Sequence, residues 1–238
     1  MALTAEGRRL TEAHRLAQAR IGARTVRQML AAWSLLDPRD LDRTLARWLR
    51  VVLPLIGAQR LSSTQLAASY LVGFRAIEVG PGTFAPRLAG GANAKALITS
   101  LTVTGPVSVK MARARGETLE RAFGLGQSMS ARAGLRFALD GGRETLLESV
   151  RADSRALGWA RATSGNPCAF CAMLASRGGV YGSEDTAGFQ SHDGCQCGAE
   201  PIYGTDAGLP PGADQYRELW DQTGSLAEFR AAYDAARS

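Results

Sequence analysis

The feature that most restricts how this chain can fold is a cluster of cysteines in a segment with few large apolar residues. All four cysteines of the 238-residue chain, and one of its two histidines, lie between Cys168 and Cys197. Their pattern is Cys168-x2-Cys171, then 20 residues, then His192-x2-Cys195-x-Cys197. Residues 165–203 are otherwise short, irregular and rich in glycine, so we do not expect burial alone to fold them.

This pattern predicts a structural zinc site. Two sulfurs two residues apart on a tight turn can bind one tetrahedral ion, and a second group returned by a loop completes the ligand shell. A thiolate-rich set favours Zn2+ over hard cations, and the ion would supply folding energy. Cys168, Cys171, His192, Cys195 and Cys197 are five candidates for four positions. Disulfides and free buried thiols are the alternatives, and a reducing cytoplasm favours zinc over disulfides.

The sequence does not contain a recognisable catalytic set, so we expect a protein that is not an enzyme. A cysteine nucleophile would need His192 free as a base, and a serine triad would need His14, which lies in an arginine-rich helix. An HNH-type nuclease needs more histidines than the chain provides. Glu184, Asp185 and Asp193 could bind a metal, but acidic residues in a polar loop are more often solvated. No glycine-rich loop carries the lysine of a phosphate-binding motif.

Hydrophobic periodicity predicts helices over the first 80 residues. One long helix is expected up to Leu36, a second opens with Asp37 as N-cap and Pro38 at its first position, and Pro54 should kink or end it. A third is expected from Ser62 or Ser63 to the Gly80–Gly82 turn. The large apolar residues expected to face inward are Leu16, Ile21, Val26, Met29, Leu30, Trp33, Leu41, Leu45, Trp48, Leu49, Val52, Leu66, Tyr70, Leu71 and Phe74.

The rest of the chain is also expected to be mainly helical. Residues 97–116 fit a strand or two short helices, and helices are favoured. A helix over 117–139 is expected to break at Asp140–Gly142, and a final helix to run from Arg143 to Thr163. Beyond a linker, one or two amphipathic helices should dock on their own domain through aromatic and apolar side chains: Tyr216, Leu219, Trp220, Phe229 and Tyr233.

These observations predict a mostly α fold: an elongated helical N-terminal and middle region, a small irregular Cys/His module resembling a zinc knuckle, and a short helical C-terminal tail. The predicted regions are 1–80 (N-terminal amphipathic helices), 81–164 (middle helical region), 165–204 (zinc-binding module) and 205–238 (linker and tail).

Charge is unevenly distributed along the chain. Residues 1–60 carry a net charge of +6, residues 61–164 another +6, and residues 165–238 carry −6. A basic surface attracts polyanions such as nucleic acid, although a solvated set of helix faces would give the same count. The longest apolar run, Val51–Ala58, is far below the roughly 18 residues that span a bilayer, and the N-terminus lacks a signal-type apolar segment. We therefore expect a soluble protein with no membrane partner.

The sequence around the cysteines resembles a known family. The segments GWARATSGNPCAFCAMLASRGGVY and SHDGCQCGAEPIY resemble the C-terminal signature of MuF-like minor head proteins, the phage head-morphogenesis family, and in particular its actinobacteriophage branch. In that family a C-x2-C element is followed by His-x2-Cys-x-Cys and then a proline, here Pro201. The likeness covers roughly residues 104–204. This chain has His192-Asp193 where the family usually has His-Pro.

The resemblance implies a low-copy virion protein that is made in the bacterial host cytoplasm and sits inside the phage head at the portal vertex. It implies a structural and assembly role with the portal protein as partner. The N-terminal helices, with Trp33, Trp48 and Tyr70 among their apolar residues, are expected to leave apolar faces for that partner. The major capsid or scaffolding protein and non-specific DNA are further expected contacts. Some relatives in actinophages are labelled capsid maturation proteases, so a protease or DNA-processing enzyme that uses the Cys/His region is the alternative.

Overall fold

The computed structural model describes residues 2–163, 165–179, 189, 191–205, 208–210 and 212–237. It is mostly helical, as predicted, with one small two-stranded sheet. None of the helices in these ranges is both long and apolar enough to cross a membrane. A 3-10 turn (Trp33–Leu35) and a π-helical turn (Val103–Val107) join some of the elements. In chain order these elements are α1 (Ala5–Ala32), α2 (Leu41–Val79), α3 (Ala94–Thr102), α4 (Ser108–Ala114), α5 (Leu119–Ala152), β1 (Gly158–Ala162), α6 (Ala169–Ser176), β2 (Gly198–Ile202), α7 (Asp214–Asp221) and α8 (Leu226–Ala235).

The three long helices α1, α2 and α5 pack against one another. The N-terminus of α1 meets the C-terminus of α2, where the Thr4 hydroxyl donates to Glu78 at 2.7 Å. At the opposite end Trp33 and Trp48 pack edge to face with ring centroids 5.5 Å apart. The two helices are therefore antiparallel. The loop after α2 runs back along α5, where the Arg87 N–H donates to Ser149 and the Ala89 N–H to Thr145. Helices α3 and α4 follow, and α5 then packs against both α1 and α2.

Two predicted helix ends are wrong, one at Pro54 and one at Asp140–Gly142. Helix α2 continues through Pro54 without ending, and it begins at Leu41 with Asp40, not Asp37, as its N-cap. Proline in a helix costs about 3 kcal/mol, but Val52 and Ile56 on either side are fully buried. Burial of two such side chains contributes about 1.5–3 kcal/mol each, so packing outweighs the missing hydrogen bond.

Helix α5 continues through Asp140–Gly142, where the sequence predicted a break. The glycines here are contact positions. A Cβ atom on Gly141 would lie 2.6 Å from the backbone oxygen of Arg60 on α2, and one on Gly142 would lie 2.6 Å from the Ser63 hydroxyl. The missing side chains let α5 approach α2 closely, so glycine serves helix packing and does not end the helix.

Helix α1 also uses small residues for its inner face, so only part of the predicted stripe of large apolar residues is buried. Met29, and Trp33 just after the helix, are each 2% exposed. Leu16 and Leu30 are 44% and 39% exposed. Gly22 instead faces α5, where an added Cβ would lie 2.7 Å from Leu135. Close contact between long helices selects small side chains at the interface, and a count of large apolar residues cannot detect it.

The aromatic residues of the long helices lie in the protein's own core. Trp33, Trp48 and Tyr70 are 2%, 0% and 3% exposed. The hypothesis that such residues leave unsatisfied apolar faces for a partner is wrong for these three. The C-terminal aromatic residues dock on their own domain, as predicted: Phe229 and Tyr233 are buried in a cluster that includes Phe74 of α2.

The predicted final helix over residues 143–163 is also wrong at its end. After α5 stops at Ala152, residues 158–162 form β1, which pairs antiparallel with β2 from Gly158↔Ile202 to Ala162↔Gly198. The pairing joins both ends of the cysteine-containing segment. Trp159 on β1 and Met173 on α6 are buried in the same cluster as Phe229. Apolar burial therefore contributes to folding this segment, which was expected to lack a core.

Candidate metal centre

Two short local structures hold the candidate ligands. Cys168 is the N-cap of α6, and its sulfur accepts a hydrogen bond from the Cys171 backbone N–H at 3.4 Å. On the return, the Cys195 N–H donates to the His192 carbonyl at 3.0 Å, which closes a turn. Gly194 in this turn has φ of +87°, a conformation that favours glycine. The sequence thus positions one pair of ligands at a helix start and the others before β2.

The structure brings all five predicted residues together. The ligand atoms of Cys168, Cys171 and His192 lie within 4.8 Å of one another, and so do those of Cys171, Cys195 and Cys197. Cys171 belongs to both groups. The Cys171 and Cys195 sulfurs are 3.7 Å apart, and Zn–S bonds of about 2.3 Å in a tetrahedral site put sulfurs roughly 3.8 Å apart. The arrangement can hold a metal ion, and the four cysteines are free thiols.

The two sides of the cluster differ in burial. Cys171, Cys195 and Cys197 are 1%, 2% and 3% exposed. Cys168 and His192 are exposed, and the Cys168 sulfur lies 3.0 Å from His192 Nε2. The imidazole Nδ1 lies 3.0 Å from the Asp193 carbonyl oxygen. The cluster therefore has a buried face made of sulfur and a solvent face that contains the histidine.

Two buried arginines support the buried face, and no sequence signal distinguishes them from the many other arginines of the chain. Arg143 of α5 donates to the carbonyls of Cys195 at 2.6 Å and Cys197 at 3.0 Å. Arg161 of β1 donates to the Cys171 sulfur at 3.6 Å. Its guanidinium also lies 3.9 Å from the centre of the Phe189 ring. Outer groups of this kind orient metal ligands and balance the charge of thiolates.

The electrostatics of the cluster favour thiolates at Cys168 and Cys195 and a protonated thiol at Cys171. A hydrogen bond from Cys171 lowers the pKa of Cys168 to about 5, against an opposing effect of burial. Hydrogen bonds from Cys171 and Cys197, aided by the charge of Arg143, lower the pKa of Cys195. The pKa of Cys171 is raised because its thiol is shared with these neighbours. Burial opposes charge on His192, but the Asp193 carbonyl and the Cys168 sulfur raise its pKa overall.

The other titratable residues that the sequence suggested do not join the cluster. The Asp193 carboxylate pairs with Arg136 at 2.7 Å. Glu184 and Asp185 lie outside the described residues. His14 is buried in α1, stacked on Tyr70 with ring centroids 4.3 Å apart.

Comparison with known proteins identifies the family of this chain. The family model described as VG15 protein matches residues 6–223, which is most of the chain and includes all five candidate ligands. The chain belongs to the VG15 protein family. VG15 is a phage-type viral family. No curated protein matches the chain, and no solved structure does.

In this VG15 chain the solvent face of the cluster opens into a cleft of about 760 Å3. All five candidate ligands line it, and Cys168 and His192 are the exposed ones among them. Three arginines also line it: Arg132 of α5, Arg230 of α8, and Arg237 just beyond the end of α8. Arg132 is fixed by a hydrogen bond to the Asp193 carbonyl at 3.1 Å, and Arg237 by one to the Pro167 carbonyl at 2.9 Å. An ion bound by the cluster would therefore be approached through a basic cleft.

Proposed function

We propose that this VG15 chain is a minor capsid, or head-morphogenesis, protein that binds the portal inside the phage head and has a structural role. A zinc ion would hold its C-terminal module in place. Membership of a phage-type viral family supports the viral part of this proposal. The convergence of five cysteine and histidine ligand atoms, fixed between α6 and β2, is the observation that carries the zinc part.

The structure supports a stabilising role for the ion because of what the ligands connect. Cys168 caps α6 and Cys171 lies in its first turn, and α6 packs on α7 and α8. Cys195 and Cys197 are held by Arg143 to α5, one of the three long helices. An ion bound to both pairs would cross-link the C-terminal helices to the long helices, in addition to the shared apolar cluster.

Metal content tests this step directly. Protein purified without added chelator should carry one zinc ion per chain by native mass spectrometry and by elemental analysis. Removal of the ion should lower the melting temperature and expose residues 165–205 to protease, while the far-ultraviolet circular dichroism of the long helices is largely kept. A metal-free protein whose mass is four hydrogens lower would instead contain two disulfides and would refute the zinc site.

Association with the portal rests on the resemblance to head-morphogenesis proteins, and the fold changes which surface could serve it. Since the tryptophans are buried, exposed apolar side chains on α1 and α2 are better candidates for contact: Leu16, Leu30, Val51 and Leu61. Co-expression with the portal protein should give a complex that co-purifies. The double variant Leu16→Ser/Leu30→Ser should weaken it, whereas Leu88→Ser, which removes an exposed leucine elsewhere, should not. A stable chain indifferent to the portal would contradict the proposal.

Contact with packaged DNA is supported by stripes of arginine on the two N-terminal helices. Each stripe contains three exposed arginines, spaced four and then three residues apart along its helix. One stripe is on α1 and the other is on α2. Among the described residues only one of the six, Arg43, forms an ion pair, with Asp40. The stripes consist of Arg20, Arg24, Arg27, Arg43, Arg47 and Arg50.

Salt dependence of DNA binding tests these stripes. Binding should be independent of DNA sequence and weaken steeply as salt rises, because phosphate contacts release counterions. The variant Arg24→Gln/Arg27→Gln should flatten the plot of log affinity against log salt by about 0.9 for each phosphate that is no longer neutralised. The control Arg15→Gln/Arg121→Gln removes two arginines already paired with Glu12 and Glu117, and should change the slope less. Equal slopes for both variants would exclude α1 as the DNA surface.

One observation favours an enzyme as the second candidate. The Cys168 sulfur and His192 Nε2 are 3.0 Å apart, and the lowered pKa of Cys168 is suited to a nucleophile. Such a pair could act only while neither residue is bound to metal. Incubation with capsid subunits or DNA tests this candidate: turnover that is lost in both Cys168→Ala and His192→Ala would support it. Under our proposal the wild-type protein shows no turnover.

A further inference from the structure

The cluster offers five ligand atoms to an ion that takes four, and the structure separates them into two kinds. We propose that Cys171, Cys195 and Cys197 hold the ion permanently, while Cys168 and His192 alternate at the fourth position. We further propose that this position opens into the arginine-lined cleft and accepts a small anion in place of either residue. The inference rests on the zinc site proposed above and assigns a ligand-binding site to its outer face.

Cys171, Cys195 and Cys197 are assigned as permanent ligands because they are buried and because two arginines hydrogen-bond to them. The three sulfurs of Cys171, Cys195 and Cys197 form one of the two close groups, and each residue is at most 3% exposed. Arg143 fixes the backbone of two of them, and Arg161 donates to the sulfur of the third. A ligand held in this way has few alternative conformations, so little entropy is lost when it binds an ion.

The alternating part follows from the contact between the remaining two ligand atoms. An ion on three buried sulfurs has one position left in a tetrahedral shell. The Cys168 sulfur and His192 Nε2 both lie on the solvent side of Cys171, 3.0 Å from each other. Adjacent S and N ligands of tetrahedral zinc are about 3.5 Å apart, so the hydrogen-bonded pair would have to separate before both atoms could bind one ion. Both atoms lie close to Cys171 but outside the close group that Cys171 forms with Cys195 and Cys197, so the residue that binds must move toward those two sulfurs, and only one of the two has to do so.

The anion preference follows from the cleft. On α8 and just beyond its end, the residues that line the cleft are Arg230, Tyr233, Asp234 and Arg237, which recur at the spacing of one helix face. Arg132 of α5 lines it as well. Among the described lining residues, three guanidinium groups thus outnumber a single carboxylate. A small anion drawn into the cleft would meet the exposed side of the ion, where a water molecule or a weakly held ligand can be exchanged.

Cobalt(II) is a suitable probe of the ligands because its absorption reports the number of bound sulfurs. Cobalt affinity should fall by about 100-fold or more in Cys171→Ala and Cys195→Ala, since each removes a permanent ligand. It should fall by less than about tenfold in Cys168→Ala or His192→Ala, because each residue can replace the other. A fall in Cys168→Ala or His192→Ala as large as that in Cys171→Ala would overturn the alternation.

Azide added to the cobalt-loaded protein tests the open position. The visible spectrum should change at saturating azide, and the double variant Cys168→Ala/His192→Ala should bind azide at least about tenfold more tightly, because no side chain competes. Arg230→Gln should weaken azide binding about threefold without changing cobalt affinity, whereas Arg47→Gln, outside the cleft, should do neither. An unchanged spectrum in both wild type and double variant would overturn the anion site. Absence of cobalt and zinc binding in the wild type would refute the metal site itself.

Discussion

His14 should make the stability of this protein depend on pH, and the effect can be isolated by one substitution. The residue is 9% exposed, stacked on Tyr70, and its Nδ1 has no hydrogen-bond partner among the described residues. Burial therefore lowers the pKa of His14 from 6.5 to about 4. The folded protein holds this imidazole neutral at a pH where the unfolded chain would protonate it.

The sign and size of the change in the free energy of unfolding with pH follow from proton linkage. Above pH 6.5 both states hold a neutral imidazole, so His14 has no effect on the pH dependence there. As pH falls through 6.5, His14 becomes protonated in the unfolded state but stays neutral in the folded state. The free energy of unfolding therefore decreases until about pH 4, where the folded state is protonated as well. At 1.36 kcal/mol per pKa unit the full loss is about 3 kcal/mol, with about 2 kcal/mol already lost at pH 5.

His14→Phe is the matched variant because it keeps an aromatic ring against Tyr70 and removes the titration. Urea unfolding of both proteins should give similar free energies at pH 7.5 and a wild-type deficit of about 2 kcal/mol at pH 5. The difference between the proteins cancels other groups that titrate in this range, such as the buried Glu200 and the residues of the cysteine cluster. Since the chain has two histidines, proton NMR of the variant also identifies the His14 resonance. Parallel pH profiles, or a His14 pKa near 6.5, would refute the reasoning.

Three further predictions concern stability. Gly141→Ala should destabilise the protein by about 1–3 kcal/mol in urea unfolding, because its Cβ would meet the Arg60 backbone oxygen. On the same helix Gly124→Ala should be neutral or stabilise by up to about 1 kcal/mol, since no described atom would lie within 4 Å of its Cβ; equal effects would disprove the close-approach role. Cys171→Ser should abolish zinc retention and lower the melting temperature, and retention of stoichiometric zinc would exclude it as a ligand. Glu78→Ala should cost about 1.5–3 kcal/mol and speed hydrogen exchange in the first turn of α1, where the carboxylate accepts from Leu3 and Thr4; unchanged exchange there would contradict this.

The sequence was a good guide wherever the signal is local. The helical character of the chain, the Gly80 end of α2 and the docking of the C-terminal aromatic residues were all predicted and are all present. Spacing also predicted that Cys168, Cys171, His192, Cys195 and Cys197 would form one cluster, and the structure brings them together. Ligand chemistry depends on residue type and on short-range geometry, both of which can be read along the chain.

Predictions from the sequence were wrong at proline and glycine residues, because each of these residue types can either end a helix or lie within one. Proline and glycine usually end helices, yet α2 contains Pro54 and α5 contains Gly141 and Gly142. The outcome at these positions depends on what lies across the interface, such as the Arg60 backbone beside Gly141. In the same way Leu16 looked like a core residue and is exposed, because the small residues of α1 make the closer contact.

The sequence by itself determined the inventory: long amphipathic helices, a split charge, and five candidate cysteine and histidine ligands in one segment. Only the tertiary structure decided which of those ligands are buried, that Arg143 and Arg161 support them, and that Cys168 and His192 face a basic cleft. The reason is that helix formation and ligand type depend on neighbours along the chain. Burial, support and access depend instead on contacts such as Arg143 with Cys195, which join residues 52 positions apart.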